Sequence, residues 1–413
     1  MNILSIFLHQ NIQSTYSMSN RKIIISGTGC ALADFLYTGI RFDSLQFMKY
    51  MSNQAGDGGL SPGKLVFKEE LENYAGNDYN AILNEISGNG SPDSFNLGGP
   101  GLVSMIHVSQ MLNNSQYEIR FYGNLGNDET AEKILRLVRK TPLNITNYLK
   151  RSKLQTPCTY VLSDPTFADG NGERTFVNNI GAALDFSPGM IDHLFFKSSI
   201  VCFGGTALVP QIHDNLSELL ERSKQNNSIT VVNTVFDFRN EKKNPDKPWP
   251  LVSREDSYKL IDVLITDKEE AMRISGQNNE TDAAFFFIQK KISSFFITNG
   301  AEDIIIFSDG RLFNKLDLKL FPVSHMVTPE LRLSGDTTGC GDNFAGGIIT
   351  SLALQIKEQK TTFDIFSALS WAVASGGFAC SYIGGTFIES YPGEKLARIT
   401  DFRKEYMKQI GMA

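Results

Sequence analysis

Short apolar runs alternate with stretches of helical periodicity along most of this chain. Ile23-Ile24-Ile25, running into Ser26-Gly27-Thr28-Gly29, reads as a buried strand entering a tight loop. After Gly98-Gly99 a helical pattern spans residues 102–112, residues 120–123 read as a strand, and 130–139 as an amphipathic helix. Residues 159–162 and 174–177 are strand patterns on either side of a turn-rich stretch, which predicts a hairpin. Strand patterns at 199–203, 229–233, 263–266 and 295–298 come next, the last leading on to 304–307. Helical patterns near 212–224 and at 268–274 lie among them, as does a loop ending at Trp249. This alternation predicts an α/β fold with a parallel sheet flanked by helices on both faces.

Residues 44–94 break the pattern. They are rich in Gly, Asn and Asp, with short apolar fragments such as Leu65-Val66-Phe67. A plain loop of that length is unusual inside a compact domain, so the segment is expected to carry structure of its own. The expected division is an α/β core over 22–43, 99–155 and 178–395, a smaller unit from 44–98 and 156–177, and a C-terminal helix over 396–413. Residues 1–21 are expected to be a disordered extension, with Met18 as the expected start.

The 413 residues suffice for one large domain with an appendage, or for two domains. A hydrophobic share of 41% and a charged share of 20% are those of a soluble globular protein. A net charge of −6 without a basic block argues against nucleic-acid or membrane-surface partners. The longest apolar runs fall short of a membrane span, and residues 3–8 lack the flanks of a signal peptide. Five scattered cysteines read as cytosolic thiols, so a cytoplasmic location is expected. The five histidines show no paired zinc-ligand spacing.

The densest chemistry lies in Asp336-Thr337-Thr338-Gly339-Cys340-Gly341-Asp342, with an apolar helical pattern over 344–353 just after it. A glycine-flanked loop opening a helix turns unpartnered N–H groups and the positive end of the helix dipole one way, which makes an anion site. Asp342 at its lip is either a helix N-cap or a base that takes a proton from an attacking hydroxyl while the loop holds a phosphoryl group. Asp34, soon after the first strand, stands where open α/β sheets bind ligands, and its carboxylate could accept hydrogen bonds from vicinal hydroxyls. Taken alone it is equally a turn residue. Gly58-Gly59-Leu60-Ser61-Pro62-Gly63-Lys64 fits the first places of a Walker-type phosphate loop, but Leu65 stands where a Ser or Thr is needed and no strand directly precedes it.

The 336–342 stretch resembles the second signature of the ribokinase-like (PfkB) carbohydrate kinases, Asp-Thr-x-Gly-Ala-Gly-Asp, with Cys340 the single departure. Gly98-Gly99 resembles the first signature, Gly-Gly-x-x-x-Asn, with Val103 in the Asn place. Gly123, Gly126 and Asp128 resemble a structural Gly-x-x-Gly-x-Asp turn, and Gly172-Glu173-Arg174-Thr175 resembles the Gly-Glu-Arg-Thr strand. Asp267 and Glu270 take the places of an Asn-x-x-Glu motif. Thr298-Asn299-Gly300 resembles Thr-x-Gly, with Asp303 where a further Gly is usual. Arg239, ahead of Trp249, is kept from a weaker pattern. The resemblance runs from about Lys22 to about Ile388.

It implies a Rossmann-like sheet with a small β lid built from 44–98 and 156–177, able to pair with a second subunit's lid as a homodimer. It also implies ATP-dependent phosphorylation of a sugar hydroxyl, with Asp342 as base and the N–H groups of Gly339, Cys340 and Gly341 stabilising charge. Asp34, Asp57, Gly98, Gly99 and Arg174 would meet the acceptor; Arg174 is otherwise a solvent-facing strand residue. Thr298, Gly300 and Asp267 would meet the nucleotide. Glu270 would organise hydrated Mg²⁺, unless it simply answers a helix dipole. Asp336 and Thr338 match positions lining a monovalent-cation (K⁺) site. Two other readings stay open. One is a nucleoside kinase, for which Tyr50, Phe67 and Tyr74 would offer rings to a base, and the other is a non-catalytic sugar-binding relative.

Overall fold

The computed structural model describes residues 22–54, 56–170, 172–328 and 337–412. The 1–21 extension with Met18, and Asp336, lie outside them. Nine strands form the main sheet: β1 (Ile23–Gly29), β5 (Tyr117–Leu125), β6 (Asn144–Lys150), β9 (Ile200–Gly204), β10 (Ile229–Asn233), β11 (Val263–Asp267), β12 (Ser294–Thr298), β13 (Ile304–Ser308) and β14 (Leu316–Phe321). They lie side by side in the order β14-β13-β12-β11-β10-β9-β1-β5-β6. Pairing is parallel from β12 through to β6. The expected parallel sheet carries two antiparallel strands at one edge, β13 and β14. Only residues 299–303 join β12 to β13, too few for the crossover that a parallel strand needs.

The strands are apolar throughout because both faces are covered. Phe296 points into one core cluster, while Phe295 and Ile297 point into the other; Val231 and Val232 divide the same way. Five helices position the site or brace it: α1 (Pro100–Met111), α2 (Lys268–Ser275), α3 (Cys340–Lys357), α4 (Ile365–Ala379) and α5 (Glu394–Gln409). On one face α3 packs against α1 and α4, and α5 packs on α4. Small residues permit the close crossing: a Cβ on Gly347 would lie 2.5 Å from the Trp371 carbonyl oxygen. No helix among the described residues is long and apolar enough to cross a membrane.

A second sheet of five strands contains β2 (Leu32–Tyr37), β3 (Leu65–Phe67), β4 (Ser94–Gly98), β7 (Cys158–Asp164) and β8 (Glu173–Asn179), in the order β3-β8-β7-β2-β4. The expected hairpin is its β7–β8 pair. Two expectations need correction. Residues 32–37, assigned to the core, belong to this sheet. The segment 44–94, expected to form β structure, carries more helix than strand, with helices at Leu45–Met48, Lys68–Ala75 and Tyr79–Ser87. Asp78 caps the last of these, and Tyr79, Ile82 and Leu83 bury one face of it. The Walker-like stretch leads into β3, so it opens no helix.

Candidate active site

The chain order reverses across β1, so the carboxyl ends of β1 and β9 form a topological switch point, the usual ligand crevice of such sheets. Gly29 and Gly204 end these strands in contact: a Cβ on Gly29 would lie 1.8 Å from the Gly204 carbonyl oxygen. Asn233, Asp267 and Thr298 end β10, β11 and β12 on the same side.

The first turn of α3 completes this end of the sheet. Its N-cap is Gly339, with φ +76°, packed so tightly that a Cβ would lie 2.5 Å from Gly385 Cα. No side chain caps the helix, so Asp342, three residues in, is not the N-cap that one reading allowed. The Cys340 N–H makes a long 3.3 Å bond to the Thr337 carbonyl, so in this structure it is not fully given over to an anion. Asp342 is half-buried, and burial pushes its pKa up to about 7. Asn233 opposes the shift, yet its buried Nδ2 has no partner within ordinary hydrogen-bond geometry.

Asp267 and Glu270 stand beside it. Asp267 caps α2 by accepting from the Glu270 N–H at 2.8 Å, and Glu270 answers the Asp267 N–H at 3.4 Å, a reciprocal capping box. Glu270 also accepts from the Thr234 hydroxyl. Burial, then Asp267, raises the Glu270 pKa to about 8, with Asp342 adding to the rise; Asp267 is raised by burial. The helix-dipole reading of Glu270 is thus incomplete, because a dipole alone would lower its pKa. Thr298 pairs with Asp267 across the sheet, and beyond it Gly300, at φ +58°, has nothing within 4 Å of an added Cβ.

Behind the loop lies a second polar cluster. Asn343 donates through Nδ2 to the Gly339 and Gly385 carbonyls, both at 2.9 Å. Its Oδ1 accepts from Lys395 Nζ at 2.9 Å and lies 2.9 Å from His107 Nδ1. Lys395 also donates to Gln110 Oε1 at 3.1 Å, and His107 Nε2 is 3.1 Å from the Ser375 hydroxyl. Burial lowers the Lys395 pKa to about 7.

On the acceptor side, Asp34 in β2 faces Asn96 in β4, and a Cβ on Gly98 would lie 2.2 Å from its Oδ2. Gly99, at φ +91°, packs on Cys30, where a Cβ would lie 2.6 Å from the carbonyl oxygen. These glycines let Asp34 and the start of α1 approach. Strand register extends the polar row from Asn96 and Asp34 to Thr159 and Asn178, whose Nδ2 donates to the Thr159 hydroxyl at 2.9 Å. The buried Cys30 thiol is pushed well up by burial, then by Asp342, then by Asp34, which places it within the field of both carboxylates. Arg174 donates to the Thr338 hydroxyl at 3.1 Å, so the second sheet touches the loop itself, and Arg174 is no free surface residue.

Other candidates are engaged elsewhere. Asp57 accepts from the N–H groups of Asn53, Gln54 and Gly59, which holds its pKa down at about 2 and closes its own loop. Arg239 pairs with Asp214, and Asp128 caps the helix Glu129–Val138. Tyr50 bonds to Glu85, Tyr74 to the Met51 carbonyl at 2.5 Å, and Phe67 packs edge-on against Phe238. Asn96, Thr159, Asn178, Asn233, Asn343 and Lys395 were not singled out in the sequence. For Asn233 a signal exists, a polar residue ending a buried strand at the ligand side.

The profile of the pfkB family carbohydrate kinases matches residues 64–390. The chain belongs to this family. Among curated proteins it is 22% identical over 263 residues to a bifunctional ribokinase/ribose-5-phosphate isomerase A of Fructilactobacillus sanfranciscensis. That match covers 63% of this chain and only 42% of the relative's length. Among solved structures, adenosine kinase from Schistosoma mansoni with 2-fluoroadenosine superposes with a TM-score of 0.66 at 17% identity, covering 89% of this chain and 98% of that one. Ribokinase from Thermotoga maritima superposes with a TM-score of 0.59 at 15% identity, covering 92% and 99%. For this pfkB family member both structural likenesses establish the fold.

Proposed function

We propose that the protein is an ATP-dependent kinase that transfers the γ-phosphoryl group to a hydroxyl of a sugar or sugar derivative. The observation that carries this is Asp342, a carboxylate raised to about 7 at the mouth of an uncapped helix, inside the pfkB signature. A base with a pKa near neutrality can accept the acceptor's proton as the oxygen attacks phosphorus. The positive end of α3 and its first N–H groups stabilise charge on the transferring group. Asp34 accepts from acceptor hydroxyls, with the row of Asn96, Thr159 and Asn178 beside it supplying further polar groups. Thr298, Gly300 and Asp267 line the nucleotide side. The acidic corner of Asp267, Glu270 and Asp342 fits a divalent cation carried by the nucleotide phosphates. Among the described residues no three ligating side chains stand close enough to hold a metal directly, so Glu270 would act through water. Such a cation supplies neutralisation of phosphate charge.

Tyr50, Phe67 and Tyr74 are engaged within the fold, and the polar row beside Asp34 is what favours a sugar over a nucleoside. ADP release measured against sugars, sugar phosphates and nucleosides tests the reading. The highest kcat/KM is expected for a sugar or sugar derivative; a nucleoside in that place, or no ADP release with any acceptor, overturns it. Asp34→Ala should weaken acceptor binding by about 1.5–3 kcal/mol, the worth of hydrogen bonds to a charged group. Calorimetry should show ATP affinity unchanged in that variant.

A further inference from the structure

Two thiols meet where the signature loop touches the end of α4. Cys340 Sγ and Cys380 Sγ are 3.3 Å apart although 40 positions separate the residues. Cys340 opens α3 and is partly exposed; Cys380 is the C-cap of α4 and 8% exposed. The remaining cysteines differ. Burial pushes the Cys158 thiol up to about 12 and those of Cys30 and Cys202 well above their ordinary value. Cys340 instead is partly exposed and stands against a second sulfur.

We propose that Cys340 and Cys380 form a reversible oxidation site that closes to a disulfide on meeting a hydroperoxide and thereby disables the loop beside it. The Cys340 thiolate attacks the terminal peroxide oxygen, the O–O bond breaks, and an alcohol (water, for hydrogen peroxide) leaves, giving a sulfenic acid. The Cys380 thiolate attacks that sulfur, the S–S bond forms, and the S–O bond breaks with loss of water. Two thiols and one hydroperoxide thus become one disulfide, one alcohol and one water.

Closure brings the sulfurs from 3.3 Å to about 2.05 Å. The loop has little room to absorb that movement. Gly339 packs on Gly385, and Gly376 passes so close that an added Cβ would lie 3.2 Å from the Cys340 carbonyl oxygen. A displacement of about 1 Å at a phosphoryl-transfer site can cost a hundredfold in rate.

The full-length protein is treated with hydrogen peroxide, alkylated, and mapped by mass spectrometry without reduction. A peptide pair joined through Cys340 and Cys380 is expected. Turnover should fall by about tenfold or more, with both changes reversed by dithiothreitol. Cys380→Ser should keep the untreated turnover and resist the peroxide dose that inactivates the native protein. Absence of the joined peptides overturns the proposal. So does a joined protein with turnover intact, or a Cys380→Ser variant inactivated as deeply as the native one. The cross-link is read by mass whatever reaction the protein performs, so failure of the kinase reading and failure of the oxidation site are distinguishable.

Discussion

The first turn of α3 separates two polar clusters of opposite character. Behind it, the buried Lys395 amine, its pKa lowered to about 7, donates to the neutral oxygens of Gln110 and Asn343, and the Asn343 amide uses both its hydrogens on the Gly339 and Gly385 carbonyls. In front, Asp267, Glu270 and Asp342 all have raised pKa values, and only Asn233 beside Asp342 partly opposes the shift there. The rear cluster closes its hydrogen bonds within the fold and fixes the loop. The front cluster gathers three carboxyl groups whose ionisation burial and mutual repulsion disfavour, the kind of perturbed set that marks a candidate functional site.

Substitutions should therefore act with opposite signs on the two sides. The largest effect is expected from Asp342→Asn, with turnover lowered by about two to four orders of magnitude and no loss in the unfolding midpoint. Turnover within a few-fold of native would remove the front cluster from the chemistry. Asn343→Ala should instead destabilise the protein, by about 1–3 kcal/mol for each group left unpaired, read from urea unfolding. Unchanged stability would mean the rear cluster is not the brace described. Glu270→Gln should leave the ligand-free protein as stable or slightly more stable, since it removes one of the crowded charges, while weakening binding of the metal–nucleotide. Clear destabilisation without ligand would contradict the comparison.

A further effect is one of pH. Glu270 is raised from 4.5 to about 8 and Asp342 from 3.8 to about 7. Both groups hold protons more tightly folded than unfolded. Their stabilising contribution is complete below the unfolded values and is lost as pH rises through the folded ones. Thermal midpoints of the ligand-free protein should decline across that window, and less steeply in Glu270→Gln. Equal slopes would show that Glu270 is not the titrating group.

The strands of the main sheet are legible in the sequence because burial on both faces makes each an apolar run. Direction is not: Ile304-Ile305-Ile306-Phe307 reads the same either way, and only the short 299–303 connection carries the antiparallel turn. β2 is hidden because Asp34, the residue that matters, interrupts its apolar pattern. The helix at Tyr79–Ser87 is signalled by Tyr79, Ile82, Leu83 and Ile86, yet the surrounding Asn and Gly obscure it. Asp342 and Asp34 are readable from contiguous motifs. Asn343, Lys395 and Gln110 are not, since the bonds that define them span 52 and 285 residues.

The way the second sheet is attached has a mechanical consequence. Four passages join it to the main body, and they touch in pairs: Cys30 against Gly99, where a Cβ would lie 2.6 Å from the Cys30 carbonyl oxygen, and Gln155 against Gly181, where it would lie 2.1 Å away. Asp34 sits near the first of these crossings, so its position is tied closely to the main sheet. Arg174 lies in register with Ser163, four residues beyond the row of Asp34 and Thr159, or about 13 Å farther out along the strand. Its hydrogen bond to Thr338 ties that distant end to the signature loop, alongside the Glu70–Lys242 ion pair and the Phe67–Phe238 ring contact, so the loop is anchored from the far end of the second sheet as well as from its own helix.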